Sequence, residues 1–194
     1  KYTGLRKDDD GVWRYYTDGV FDSSKTGVVM YGDNTWFYVT NGVLDVEFAG
    51  FVPYNGAKFY VSAGQVRTDL TQLVKDPNGD DDDWYYISSG QVREDTNGRV
   101  WYNDHFFWLT KGKLDTSVNG FIEEEGEGTY YLSYGQYQTD MTGLVKDPHS
   151  NNWYYISSGK VREDFSNLVL YNDNWFVISK GVLDVGFNGL YEYN

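Results

Sequence analysis

Residues 84–95 read Trp-Tyr-Tyr-Ile-Ser-Ser-Gly-Gln-Val-Arg-Glu-Asp, and residues 153–164 repeat the string with one change, Gln91 to Lys160. The copies lie 69 residues apart. A chain with such internal copies is an array, and each copy is a unit that cannot bury its apolar face alone. The ruler of the array is a series of turn glycines: Gly19, Gly42, Gly64, Gly90, Gly112, Gly135, Gly159 and Gly181, spaced 22–26 residues apart. Six residues before each glycine begins a short aromatic segment. Examples are Trp36-Phe37-Tyr38-Val39 and Phe106-Phe107-Trp108-Leu109.

These segments read as strands. Tyr, Phe and Trp together make up 19% of the chain, which suits strands better than helices. No apolar spacing of three and four residues is sustained anywhere. Ahead of each aromatic strand lies a shorter apolar one, such as Gly27–Tyr31 or Gly50–Tyr54, and between the two come turn residues such as Asn55-Gly56. Each unit is therefore expected to be one hairpin plus a short link. A lone hairpin is marginal in water, so the hairpins must stack. The expected fold is an all-β solenoid of stacked two-stranded hairpins, in one array over 1–194. Its units fall at roughly 4–26, 27–49, 50–72, 73–98, 99–119, 120–142, 143–167 and 168–188, with a partial unit over 189–194. Three kinds of unit alternate, giving a longer period of about 70 residues. The start at Lys1 and the end just after a new unit opens read as a stretch of a longer protein.

Side chains on a strand alternate between faces. The second and fourth positions of the aromatic strands are almost uniformly a ring and an aliphatic residue, which predicts an interior. The first and third positions vary more and are expected to form aromatic grooves. The candidate ligand-binding residues are therefore Trp13, Trp36, Tyr38, Trp84, Tyr86, Trp108, Trp153, Tyr155 and Trp175. Trp101 joins them because no other unit has an aromatic residue in its register. Ring faces offer an apolar platform to a sugar or another ligand, unless packing uses them all.

Charge and composition narrow the function. The formal net charge is −13, which makes a phosphate backbone or an anionic membrane surface a poor partner. No apolar run reaches the roughly 20 residues of a spanning helix. With no cysteine there is no thiolate metal site or thiol nucleophile. His105 and His149 sit in no recognisable catalytic motif, and the many carboxylates fall in links and turns. No catalytic residue, cofactor or metal is expected. Asp80 to Asp83 lack the order of a calcium loop and read as a solvated variable loop. The Arg-Glu-Asp triplets at 93–95 and 162–164 read as link scaffolding.

The succession of Gly143-Leu144-Val145, Trp153-Tyr154-Tyr155 and Gly159 resembles the cell-wall-binding repeats of bacterial surface proteins. That family comprises choline-binding repeats, glucan-binding repeats and the repeats of clostridial toxins. The resemblance covers essentially the whole chain. It implies a non-catalytic module of a secreted or cell-surface bacterial protein, with a carbohydrate or cell-wall polymer as partner. Choline-binding repeats place a Trp directly after the leading glycine, whereas here that position holds Leu5, Val28, Phe51, Leu73, Arg99, Phe121, Leu144, Leu168 and Leu190. The resemblance thus implies a carbohydrate more readily than choline. A structural stalk, or an adhesion surface for a host or bacterial protein, is the rival expectation.

Overall fold

A computed structural model describes residues 1–192. The partial unit expected over 189–194 runs past them at 193 and 194. The described residues contain 24 strands and no helix, and the fold is a β-solenoid of stacked hairpins. Two compact units divide the chain: residues 1–97 with 110–114, and residues 98–109 with 115–194.

The first compact unit holds four hairpins. They are β1 (Gly4–Lys7) with β2 (Trp13–Thr17), β4 (Gly27–Tyr31) with β5 (Thr35–Thr40), β7 (Gly50–Tyr54) with β8 (Ala57–Ser62), and β10 (Thr71–Lys75) with β11 (Trp84–Ser88). Each is followed by a two-residue strand that the sequence did not announce: β3 (Val20–Phe21), β6 (Val43–Leu44), β9 (Gln65–Val66) and β12 (Gln91–Val92). These short strands join neighbouring repeats. Val43 of β6 pairs with Thr40 in its own hairpin and with Arg14 in the preceding one. Gln65 bridges Ser62 and Phe37 in the same way, and Gln91 bridges Ser88 and Phe59.

The second compact unit repeats the scheme. It holds β13 (Gly98–Tyr102) with β14 (His105–Thr110), β16 (Gly120–Glu124) with β17 (Gly128–Ser133), β19 (Gly143–Lys146) with β20 (Trp153–Ser157), and β22 (Asn167–Tyr171) with β23 (Asn174–Ser179). Its short strands are β18 (Gln136–Tyr137), β21 (Lys160–Val161) and β24 (Val182–Leu183); β15 (Lys113–Leu114) belongs to the first compact unit. Lys160 pairs with Ser157 and with Tyr130, and Val182 with Ser179 and with Tyr154.

One peptide in each repeat carries the joint. The N–H of the third aromatic-strand residue donates to the turn-glycine carbonyl of the next repeat. The bonds are Tyr15 to Gly42 at 2.7 Å, Tyr38 to Gly64 at 2.8 Å, Tyr131 to Gly159 at 2.8 Å and Tyr155 to Gly181 at 2.8 Å. The turn glycine's own N–H donates to the link preceding its repeat, as Gly159 does to Met141 O at 2.9 Å. The turns have positive φ at both central residues, for example Ser158 at 50° and Gly159 at 73°. This geometry matches the twist of the flanking strands. A polar side chain from the link just before the repeat pins the first of the two: Thr26 Oγ1 accepts from Asn41 N, Asn97 Oδ1 from Lys111 N, and Thr142 Oγ1 from Ser158 N.

The fourth position of the aromatic strand is interior, as expected. Val39, Val61, Ile87, Leu109, Leu132, Ile156 and Ile178 are all buried. The opposite face is less open than the sequence suggests. The leading-strand residue that lies across from the third position is itself buried in four repeats, as Leu5, Val28, Leu73 and Leu144. Trp36 and Tyr38 pack against a cluster of Val28, Val52, Val61 and Val66. Both faces of a hairpin thus contribute apolar contact, because a repeat has a neighbour on each side.

In the links, Arg67, Arg93 and Arg162 fork onto Asp69, Asp95 and Asp164 at 2.7, 3.0 and 2.7 Å. The guanidinium hydrogen bonds hold each carboxyl below the usual carboxylate range. A depressed folded-state pKa contributes stability that is complete above the unfolded value, about 4, and is lost as pH falls through the folded one. The triple variant Asp69→Asn, Asp95→Asn, Asp164→Asn should therefore show a flatter fall in thermal midpoint below about pH 4. These pairs are exposed, so the change near neutral pH should be small.

The joint gives a second expectation. Gly126 and Gly159 have φ of 74° and 73°, but a Cβ on Gly126 meets open space while one on Gly159 lies 2.6 Å from Gln138 O. Gly126→Ala should cost about 1 kcal/mol of backbone strain. Gly159→Ala should cost about 2 kcal/mol or more, because the link must also move. Urea midpoints check this, and equal losses would mean that link packing against the turn is not what holds the repeats together.

Candidate functional site

The candidate residues fall into three groups. Trp13, Trp36 and Trp153, at the first strand position, are half-buried in three-ring arrangements. In each, the Trp meets a Tyr that ends the next repeat's leading strand, and that Tyr meets the second-position Phe of the same repeat. Trp13 and Tyr31 lie 5.0 Å apart, and Tyr31 and Phe37 6.2 Å. Trp36 and Tyr54 lie 5.1 Å apart, and Tyr54 and Phe59 6.3 Å. Trp153 and Tyr171 lie 5.3 Å apart, and Tyr171 and Phe176 6.4 Å. The rings are steeply inclined, so each trio forms three walls of a cage rather than a stack.

The second group is engaged in packing. Tyr38 stacks on Phe48 at 4.0 Å and Tyr155 on Phe165 at 4.3 Å, each covering its link. Tyr86 and Trp108 are half-buried at the joints, where their N–H groups bond Gly112 O and Gly135 O. Trp84 is half-buried. The third group is exposed: Trp101 at 54%, with its edge against Phe106, and Trp175 at 59%.

The trio members Tyr31, Tyr54, Tyr171, Phe37, Phe59 and Phe176 were not among the candidates. A signal for the tyrosines was present, since each lies 18 residues after its Trp. The phenylalanines were masked because their strand position reads as interior.

The Trp36 trio encloses a cavity of about 130 Å³, lined by Val28, Trp36, Tyr54, Phe59, Val66 and Thr68. Val28 and Trp36 come from one repeat and the other four from the next, so stacking builds the cavity. Its walls are aromatic and aliphatic, with the Thr68 hydroxyl, the Tyr54 phenol and the Trp36 indole N–H as the polar side-chain groups. Such a site attracts a cation through the ring quadrupoles and accommodates methyl groups by contact.

The acidic loops are engaged with bases. Asp8 accepts from Tyr16 Oη at 2.6 Å and pairs with Arg14 at 3.0 Å, and the Tyr16 hydrogen bond leads in lowering its pKa. Asp81 pairs with Lys75 at 2.7 Å, and Asp83 with Lys113. Among the described residues, no three His, Asp or Glu side chains cluster in a way that could hold a metal ion.

Comparison with known proteins agrees with the repeat architecture. A family model described as a choline-binding repeat matches residues 1–22, 24–45 and 140–162, about a third of the chain. No curated protein matches. Among solved structures, CbpJ from Streptococcus pneumoniae TIGR4 is 20% identical with a TM-score of 0.42, over 94% of this chain and 64% of that one. CbpF, solved in complex with ipratropium, is 19% identical with a TM-score of 0.39, over 94% of this chain and 59% of that one. The choline-binding domain of CbpL from Streptococcus pneumoniae is 18% identical with a TM-score of 0.33, over 83% of this chain and 97% of that one. The chain thus spans less than two thirds of CbpJ and of CbpF. In the matched segments the residue after the leading glycine is Leu5, Val28 and Leu144. Three segments of the chain thus match the choline-binding repeat model, each spanning an aromatic strand and its turn glycine.

Proposed function

We propose that the chain is a non-catalytic module that binds a cell-wall polymer, and that its Trp–Tyr–Phe cages each take a quaternary ammonium group of the choline type carried by that polymer. The observation that carries this reading is the cavity at Trp36, whose walls are three inclined rings and two valines. A sugar brought there would leave several hydroxyls unpaired, at a cost of about 1–3 kcal/mol each. A trimethylammonium group has no hydrogen bonds to lose and gains roughly 0.5–2 kcal/mol from each well-placed ring. The formal charge of −13 favours a cationic group over an anionic one. Several weak cages along one chain would hold a polymer with repeated headgroups by avidity. A module of this kind works outside the cell, at the surface or after secretion.

A carbohydrate remains the second reading, on one observation: Trp101 and Trp175 expose more than half their surface and offer platforms to a sugar ring. The two readings separate by intrinsic Trp fluorescence. Choline chloride should give a saturable shift. Trp36→Leu, which keeps apolar bulk but removes the ring, should weaken binding at its cage about tenfold, the equivalent of roughly 1.4 kcal/mol. Soluble α- or β-glucans should act through Trp101 and Trp175 if the second reading holds, and the double variant Trp101→Ala, Trp175→Ala would abolish that shift. Silence with choline in a folded sample overturns the cage proposal. Silence with every ligand favours a stalk or a protein-adhesion surface.

A further inference from the structure

The six positions that line the Trp36 cavity recur between the fifth and sixth repeats with different residues. Val28 is replaced by Arg99, Trp36 by Phe106, Tyr54 by Glu124, Phe59 by Tyr130 and Val66 by Tyr137, while Thr68 remains a threonine, Thr139. The replacements belong together. The Arg99 guanidinium lies 5.1 Å from the Phe106 ring centre, 5.3 Å from that of Tyr130 and 5.9 Å from that of Tyr137. Its Nε is 3.5 Å from Glu124, at the position where the cages have their Tyr, and a terminal nitrogen is 3.6 Å from Glu127. Glu124 also accepts the Tyr137 hydroxyl. Tyr137 is 1% exposed, and the Arg99 and Glu124 side chains are 26% and 16% exposed.

We infer that Arg99 occupies this cage with its own guanidinium, so that a site built for an organic cation is closed by a tethered one. The inference rests on the proposed cation reading of the Trp36 cavity, whose six positions it shares. A packing change alone would call for a larger apolar residue in place of Val28. Here a cation has entered among three rings, and a carboxylate has replaced the one ring that would crowd it. A second junction shows the same device with different residues. Lys58, at the strand position of Trp36, places its ammonium 5.0 Å from the Phe51 ring centre and 3.9 Å from that of Tyr85. These five junctions thus fall into two classes, and the junction after the sixth repeat, with Thr129 at the Trp36 position, belongs to neither. Aromatic trios admit a cation from outside, and junctions holding Arg99 or Lys58 supply their own. The number of ligand sites is then fewer than the number of repeats, and it is set by the residue at two positions in each.

Arg99→Ala should vacate the cage while leaving Phe106, Tyr130, Tyr137 and Glu124 in place. Isothermal titration with tetramethylammonium, and separately with methylguanidinium, should then show one more cation bound per chain than the parent binds. Millimolar methylguanidinium should recover at least about 2 °C of the thermal midpoint lost in the variant. Arg99→Met refills the cage with a neutral chain and should show no added site. A folded Arg99→Ala with the parent's stoichiometry for both cations overturns the inference. If the parent is silent and the variant binds, the inference stands and the proposed function falls. If the parent binds and the variant gains nothing, the function stands and the inference falls; if both are silent, both fall. Should Arg99→Ala not fold, Lys58→Ala is read in the same way at the other junction.

Discussion

Everything in this protein depends on one backbone hydrogen bond that recurs between successive repeats, from the third residue of an aromatic strand to the turn-glycine carbonyl of the next repeat. A hairpin of this size has too little apolar surface to stand alone. The bond holds the next repeat's turn against the strand, and the two-residue strand after the turn then pairs with both hairpins. Once repeats are fixed in this way, the rings on one hairpin must face the leading strand of the next. Both the aliphatic interior and the Trp–Tyr–Phe cages follow from that placement. The glycine is needed because the turn requires positive φ and because the preceding link passes within a Cβ's reach.

Much of the fold was legible because it is periodic. The glycine ruler and the aromatic strands predicted hairpins, and the uniform fourth position predicted the buried row from Val39 to Ile178. The short strands such as Val43–Leu44 were not legible, since two residues carry no alternation to read and their partners lie in another repeat. The geometry of the candidate site was legible in part. Trp13, Trp36 and Trp153 could be found from strand position alone. Tyr54 and Phe59 could not be placed beside Trp36 without knowing which repeat face meets which. Arg99 was visible as a departure from the family pattern, but its meaning came only when its guanidinium was seen among three rings.

The walls of the Trp36 cavity do not depend on a Trp after the leading glycine. That position lies across the hairpin from the third strand residue, and at Val28 it forms one wall of the cavity. The aromatic walls come from Trp36, Tyr54 and Phe59. A smaller residue there opens the cavity on one side, and Arg99 fills it from the same side. Two positions, those of Val28 and Trp36, thus carry either an apolar wall or a cation of the chain's own, Arg99 or Lys58.

The turns carry a different freedom. The residue before each turn glycine has positive φ and is exposed in all eight repeats, and it is variously Asp18, Asn41, Ala63, Ser89, Lys111, Tyr134, Ser158 or Lys180. In seven of the eight its backbone N–H is tied down by a side chain from the residues just before its repeat. Because the tether grips the main chain, the side chain is left out of the bargain. A charge, an amide or a phenol can stand there without consulting the fold. The scaffold therefore provides, in every repeat, a letter that selection can rewrite on its own, so that the face shown to the surroundings can drift quickly while the interior stays still.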